Sequence, residues 1–248
     1  MELGSGLGVA KLKGGGGVPS FLNEYSMDFD GVGDRMNVLN AQTIGRTQNI
    51  SISVWMKLNT NGQQFLVGNY TSSNYGVGFH IPAGGDVMIF QLGNVTNDSY
   101  FNSRVANFTT YAPTGTWNHW CGTWDGTDSK IYINGVLRNT WSPVPSITLQ
   151  WYAPSGQFII GAYSLNYNPN GKFDELGLFD EAVSIGDVWN GTGKPIDISG
   201  VSGITNNWRM GDGGTFDGTN WTIPDVVGTS TGTTVNMDIS DRTTDVPT

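Results

Sequence analysis

In the segment NISISVWMKLN, Ile50, Ile52, Val54 and Met56 alternate with Ser51, Ser53 and Trp55. A period of two puts the first set on one face of an extended chain and the second on the other. The NTNG that follows supplies turn residues, so the pattern predicts a β-strand. YSMDFDG alternates in the same way before it breaks at Gly31, and RMNVLN, QQFLVGNY, YGVGFHI and DVMIFQLG follow with turn residues between them. HWCGTW predicts a strand with His119, Cys121 and Thr123 on one face and Trp120, Gly122 and Trp124 on the other. DGTDS is a turn and KIYING begins the partner strand. Asn134-Gly135 predicts a type I′ hairpin, because both residues tolerate positive φ. Two adjacent hairpin connections make a meander.

GQFIIGAY and GKFDELGLFDEAVS predict two further strands. Even alternation along the second puts Asp174 on the face of Leu176 and Leu178, and Glu175 on the face of Gly177 and Phe179. No long segment carries a helical period. The best short candidate is SIGDVWNG, where Ser184 could cap a turn ending near Gly191. Beyond residue 190 the pattern weakens: NNWRMGDGG, NWTIPDVVG and TTVNMDIS read as short strands or ordered coil. Trp208 and Trp221 call for burial, so this stretch is expected to form an extension packed on the sandwich. A separate domain of under 60 residues without disulfides would be marginal.

Composition narrows the class. Of 248 residues only 13% are charged, against 36 glycines, nine tryptophans, nine tyrosines and eleven phenylalanines. Such a chain suits many short strands, tight turns and an aromatic core rather than helices. The net charge of −9 and the scattered 12 lysines and arginines argue against nucleic acid as a partner. Cys121 is the single cysteine, which excludes an intrachain disulfide. No apolar run resembles a signal-peptide core or a membrane span, so a cytosolic origin and no membrane partner are expected. The glycine-rich residues 1–20 cannot bury a face by themselves. They are expected to act as an arm that docks on a partner or a neighbouring subunit through Leu3, Leu7, Val9 and Leu12.

Four sets of residues carry candidate chemistry. His119 and Cys121 share a strand face, yet at i and i+2 their Cα atoms stand ~6.5–7 Å apart along the strand, and a buried lone cysteine is an ordinary small hydrophobe. The other histidine is His80 and there is no second cysteine, which leaves zinc poorly supported. FDELGLFDE offers no adjacent pair of acids on one face for glycoside hydrolysis, so the chain is expected not to be an enzyme. DFDGVGD gathers Asp28, Asp30 and Asp34 in a glycine-containing loop, but the twelfth position from Asp28 is Leu39, not the glutamate of an EF-hand. Finally, NYTSSNYG, NDSYFN and YSLNYNPNG are aromatic, Asn-rich turns with the chemistry to stack on sugar rings and meet their hydroxyls. Tyr163 and Tyr167 form the preferred pair.

In their order, SMDFDGVGDRMNV, ISISVWMKLN, WNHWCGTWDGTDSKIYINGVL and GKFDELGLFDEAVS resemble the laminin G-like, concanavalin A-like jelly rolls, a superfamily that includes pentraxins and legume-type lectins. The resemblance spans roughly residues 25 to 185 and implies an all-β sandwich of two antiparallel sheets. It also implies a Ca²⁺ site formed by Asp30, Asp34 and Asp174. The stretch from Val188 to Met237 resembles the C-terminal part of jelly-roll proteins of tailed bacteriophages. The expected organisation is an anchoring arm over 1–20, a sandwich over 21–189 and an extension over 190–248. The expected role is a virion structural or decoration protein, homo-oligomeric in an assembly. It would be held to capsid or fibre proteins by its arm and would adhere weakly to surface glycans. The alternatives are a carbohydrate-binding lectin or fibre tip and, behind them, a glycan hydrolase.

Overall fold

The computed structural model describes residues 21–38, 49–69, 76–94, 99–142, 149, 158–161 and 167–248. They form a sandwich of two antiparallel sheets. In the first sheet the strand order is β10 (Val136–Trp141), β9 (Ser129–Ile133), β8 (Asn118–Trp124), β3 (Ile50–Leu58), β12 (Asn170–Phe179), β1 (Ser26–Asp30) and β17 (Arg242–Thr243), with β13 (Ile204–Trp208) also paired to β12. The second runs β14 (Thr215–Phe216), β15 (Trp221–Ile223), β16 (Gly232–Val235), β2 (Arg35–Val38), β11 (Phe158–Ile160), β4 (Gln64–Gly68), β5 (Gly78–Ile81), β6 (Val87–Asn94) and β7 (Ser99–Ala106).

The alternating positions of β3 and β8 build the core between the sheets. Ile50, Ile52, Val54 and Met56 enter it from β3, and Trp120 and Trp124 from β8. Gly122 lies between those tryptophans because Phe90 of the opposing sheet occupies the space: a Cβ there would fall 2.4 Å from the Phe90 ring. The hairpin turn after β9 is type I′ in conformation, with Asn134 at φ 49° and Gly135 at φ 75°.

The outer face of the first sheet is not left to solvent. Residues 180–203, including the single-turn helix α1 (Ile185–Val188), lie over it. They build a second apolar cluster of Cys121, Phe179, Val183, Val188 and Ile198. Ser51 fastens this cover: its hydroxyl donates to the Glu181 carbonyl at 2.7 Å and accepts from Val183 N–H at 3.0 Å. Ser51, Ser53 and Trp55, the polar-looking half of the β3 pattern, are therefore buried as deeply as the apolar half. Ser184 stands at the N-cap of α1, but its side chain makes no capping hydrogen bond.

Two sequence expectations need correction. In NDSYFN, Ser99–Asn102 are strand rather than turn, β7 pairing with β6 along its length, and Asn97 and Asp98 lie outside the described residues. The even alternation assumed for β12 also fails. Asp174 pairs with Trp55 and Gly177 with Ser53, so three steps on β12 oppose two on β3. The extra residue is a β-bulge with Glu175 at φ 44°. The bulge flips the pattern, so that Leu176 and Leu178 join Phe173 in the core while Asp174 points to the outer side.

The weak pattern after residue 190 resolves into strands of both sheets. β16 pairs with β2, β13 with β12 and β17 with β1. Trp208 and Trp221 are buried, their indole N–H groups donating to the carbonyls of Ser230 at 2.8 Å and Asp238 at 2.7 Å.

Candidate functional site

Trp55 is the one aromatic residue on the outer side of β3, among serines and a lysine. The cover stops short of it, and a cleft of about 490 Å³ opens there, lined by Trp55, Trp117, Asn134, Trp189 and the Gly191–Gly193 turn, with Thr248 at its rim. Trp117 directly precedes β8 and Trp189 directly follows α1, so a strand start and a helix end bring two half-buried indoles to one opening. Trp55 is 3% exposed and forms the floor.

The rings hold each other. Trp55 and Trp189 have centroids 5.3 Å apart, and the His119 imidazole stacks on Trp189 at 5.5 Å and 28°. Trp189 also rests on the hairpin turn, where a Cβ on Gly135 would lie 2.2 Å from its Cδ1. Only glycine satisfies both the positive φ and this contact. Asn134 locks the same turn: its Oδ1 accepts from His119 N–H at 2.9 Å and its Nδ2 donates to Asn118 Oδ1 at 2.8 Å. Trp117 is oriented through its indole N–H, which donates to Asp245 Oδ1 at 3.0 Å. Asn190 Oδ1 accepts from Thr192 N–H at 2.9 Å and so shapes the Gly191–Gly193 turn. The cleft thus offers fixed aromatic faces beside amide and hydroxyl groups, an arrangement that suits a ligand with both apolar C–H faces and hydroxyls.

His119 and Cys121 do face the same way, and neither is a reactive group. Burial lowers the His119 pKa to about 3, and its Nε2 shares a 2.8 Å hydrogen bond with Ser53 Oγ. Burial pushes the Cys121 thiol up to about 12 within the outer apolar cluster. A neutral thiol is a poor nucleophile.

The bulge brings two acids together that the even pattern had kept apart. Asp174 and Glu175 are both buried. Asp174 Oδ2 accepts from Asn23 Nδ2 at 2.9 Å and Oδ1 accepts from Glu175 N–H at 2.9 Å. Glu175 Oε1 meets Arg209 Nε at 3.0 Å, and the same guanidinium donates to the Leu22 carbonyl and lies 4.2 Å over the Phe21 ring. Burial pushes Asp174 well above the usual carboxylate range, with the neighbouring Glu175 adding to it. Burial likewise raises Glu175 to about 7 against the opposing pull of Arg209. Segment 21–24 lies over this pair, which places it beneath the surface rather than in a position to flank a scissile bond.

The expected site residues are distributed as follows. Asp34 Oδ2 accepts from Asp30 N–H at 2.9 Å and Oδ1 from Asn236 Nδ2 at 3.0 Å, while Asp30 Oδ1 caps Val32 N–H at 2.5 Å. Asp30 pairs with Asn170, four positions along β12 from Asp174, a separation of about 13 Å. The three aspartates therefore do not converge, and no group of three or more His, Cys, Asp or Glu side chains among the described residues could hold a metal ion. Tyr167 is half-buried and packs edge-on against Phe65 at 6.0 Å, its carbonyl accepting from Phe65 N–H at 2.9 Å. Tyr163 and the arm residues Leu3, Leu7, Val9 and Leu12 lie outside the described residues. The cleft tryptophans were not singled out from sequence, although Trp55 standing among serines on an apparent solvent face was a visible signal.

Comparison with known proteins follows the same outline. The model of the concanavalin A-like lectin/glucanases superfamily matches residues 30–188. Among solved structures, a protein from Bacteroides ovatus described as carbohydrate-binding is similar at 15% identity and a TM-score of 0.67, over 90% of this chain and 61% of that one. The receptor-binding domain of botulinum neurotoxin mosaic serotype C/D is similar at 19% identity and a TM-score of 0.51, over 65% of this chain and 40% of that one. The chain thus spans about 61% and 40% of these two structures, and the likeness is one of fold. No protein of curated function matches the chain.

Proposed function

We propose, from the premise that this chain belongs to the concanavalin A-like lectin/glucanase superfamily, that it binds carbohydrate in the tryptophan cleft. The observation that carries the reading is the set of three fixed indoles at one opening, with Asn134 and Thr192 beside them. A pyranose presents C–H groups on one face and hydroxyls around its edge. The face stacks on the indoles of Trp117 and Trp189, and the edge reaches the polar rim. A neutral sugar fits best: the lysines nearest the Trp117 anchor, Lys57 and Lys172, are taken up by Asp245 at 2.7 and 3.4 Å, and Lys172 also by Asp28 at 3.1 Å. Binding rather than hydrolysis suits a chain whose adjacent acids are buried under residues 21–24.

A glycan array followed by calorimetry on the best sugar tests this. Trp189→Ala and Trp117→Ala are each expected to weaken binding by about tenfold or more, some 1.4 kcal/mol. A sugar bound with equal affinity by both variants would place the site elsewhere.

The finer reading is that a tailed-phage particle displays this domain, anchored by residues 1–20. It is supported by the resemblance of the Val188–Met237 stretch and by the glycine-rich composition of the arm. It predicts that the chain co-purifies with intact particles and that deletion of residues 1–20 abolishes incorporation while leaving sugar binding unchanged. Incorporation that survives the deletion would remove the anchoring role.

A further inference from the structure

After β17, residues 244–248 leave the sheet edge and run back over its outer face. The path is marked by partners on successive strands. Ser26 Oγ of β1 donates to the Asp245 carbonyl at 2.7 Å. Lys172 of β12 lies 3.4 Å and Lys57 of β3 2.7 Å from Asp245 Oδ2. Asp245 Oδ1 then accepts the Trp117 indole N–H at 3.0 Å, at the entrance to β8, and Thr248 reaches the rim of the cleft. The Asp245 side chain thus joins two strands of the first sheet, β3 and β12, to the wall of the opening, and its backbone carbonyl adds β1.

We propose that Asp245 is a positioning residue of the cleft, fixing the Trp117 ring as a stacking plate through its indole N–H while its other oxygen is fixed by Lys57 and Lys172. Trp117 is half-buried and stands outside the strand ladder, so neither backbone pairing nor full burial sets its ring angle. An indole whose N–H is held at one edge keeps one face toward the opening, whereas a free one samples several rotamers, each costing entropy to select on binding. The lysine pair confines the carboxylate and hands the rigidity of the sheet to the plate. As a statement about sugar affinity the inference rests on the carbohydrate reading; as a statement about Trp117 it does not.

Two measurements on the full chain separate these. The first uses no sugar: the ¹H–¹⁵N indole signal of Trp117 is identified by its disappearance in Trp117→Phe, then followed in Asp245→Ala. The signal is expected to move, and its proton to exchange with solvent about tenfold faster or more. An unmoved, equally protected signal overturns the proposal. The second titrates cellohexaose, maltohexaose and xylohexaose by calorimetry. Asp245→Ala and Trp117→Phe, which remove the bond from opposite sides, are each expected to weaken the best-bound hexasaccharide about fivefold or more. The Asp245→Ala/Trp117→Ala double variant should bind no more weakly than Trp117→Ala alone, because residues acting as one unit are not additive. Effects that multiply would reduce Asp245 to a general stabiliser and overturn the positioning role. If none of the three sugars binds the native chain, the carbohydrate reading falls while the indole measurement still decides the role of Asp245.

Discussion

Glu175 combines two unusual properties in one residue: positive φ and near-complete burial. A strained, buried acid persists only where its surroundings hold it. Here Arg209 holds one oxygen and the bulge fixes the backbone. Because the folded-state pKa values of Asp174 and Glu175 are raised, the folded chain binds protons that the unfolded chain releases. Their contribution to stability is fully present below the unfolded carboxylate range and is lost as pH rises through about 7 for Glu175. Burial lowers His80 to about 4 and His119 to about 3, and these two run the other way, adding stability as pH rises through the ordinary histidine range near 6.5. The Glu175 share is therefore read as a difference: in thermal unfolding from pH 5 to pH 8, the stability of the native chain relative to Glu175→Gln is expected to fall by about 1–3 kcal/mol. A difference that stays constant over this interval would assign the pH dependence to other groups. Gly135 carries a second prediction at this scale. Alanine there meets both the positive φ and the Trp189 ring, so a loss of about 1–3 kcal/mol in denaturant unfolding is expected.

Among the elements, β3, β8 and the Asn134-Gly135 hairpin were legible from sequence because their signals are local: a period of two and a turn that demands positive φ. The β12 bulge was not, since one inserted residue leaves no mark on composition and reverses every facing after it. The cover over the outer face was equally hidden. Ser51, Ser53 and Trp55 look like a solvent-facing row until residues 180–203 are seen to lie on them, and tertiary context then overrides the alternation. This is also why the cleft was missed. Its residues come from a strand, a strand entrance, a hairpin tip and a helix end, and nothing in their sequence spacing says that they meet. A prediction belongs to this scale too. Ser51→Ala removes the hydroxyl bonded to both Glu181 and Val183 and leaves a buried N–H unsatisfied, so it should cost about 1–3 kcal/mol. Hydrogen exchange in residues 180–190 should rise more than in β4–β6.

For the molecule as a whole, the family model ends at residue 188, but the sheets do not. β13, β16 and β17 pair with β12, β2 and β1, and Trp208 is part of the core between the sheets. A chain truncated after residue 189 is expected to lose cooperative thermal unfolding and to expose apolar surface, read by dye binding. A cooperative transition within a few degrees of the full-length value would show that the tail only decorates a self-sufficient sandwich. The low charge and the abundance of glycine and aromatic residues stated the all-β class correctly, whereas the dependence of both sheets on the tail lay mostly in pairings more than 100 residues apart, such as Ser26 with Thr243.

The cover has one more consequence, for the shape of whatever approaches. A polysaccharide laid lengthwise across the first sheet would find that surface already occupied, by residues 180–203 on one side and by residues 244–248 on the other. Between these two covers a short notch at the rim remains open, with the edge strand β10 exposed beyond them. Such a notch admits a chain end or a branch and gains little from each additional sugar ring, so affinity should level off after the first two or three rings rather than grow with polymer length.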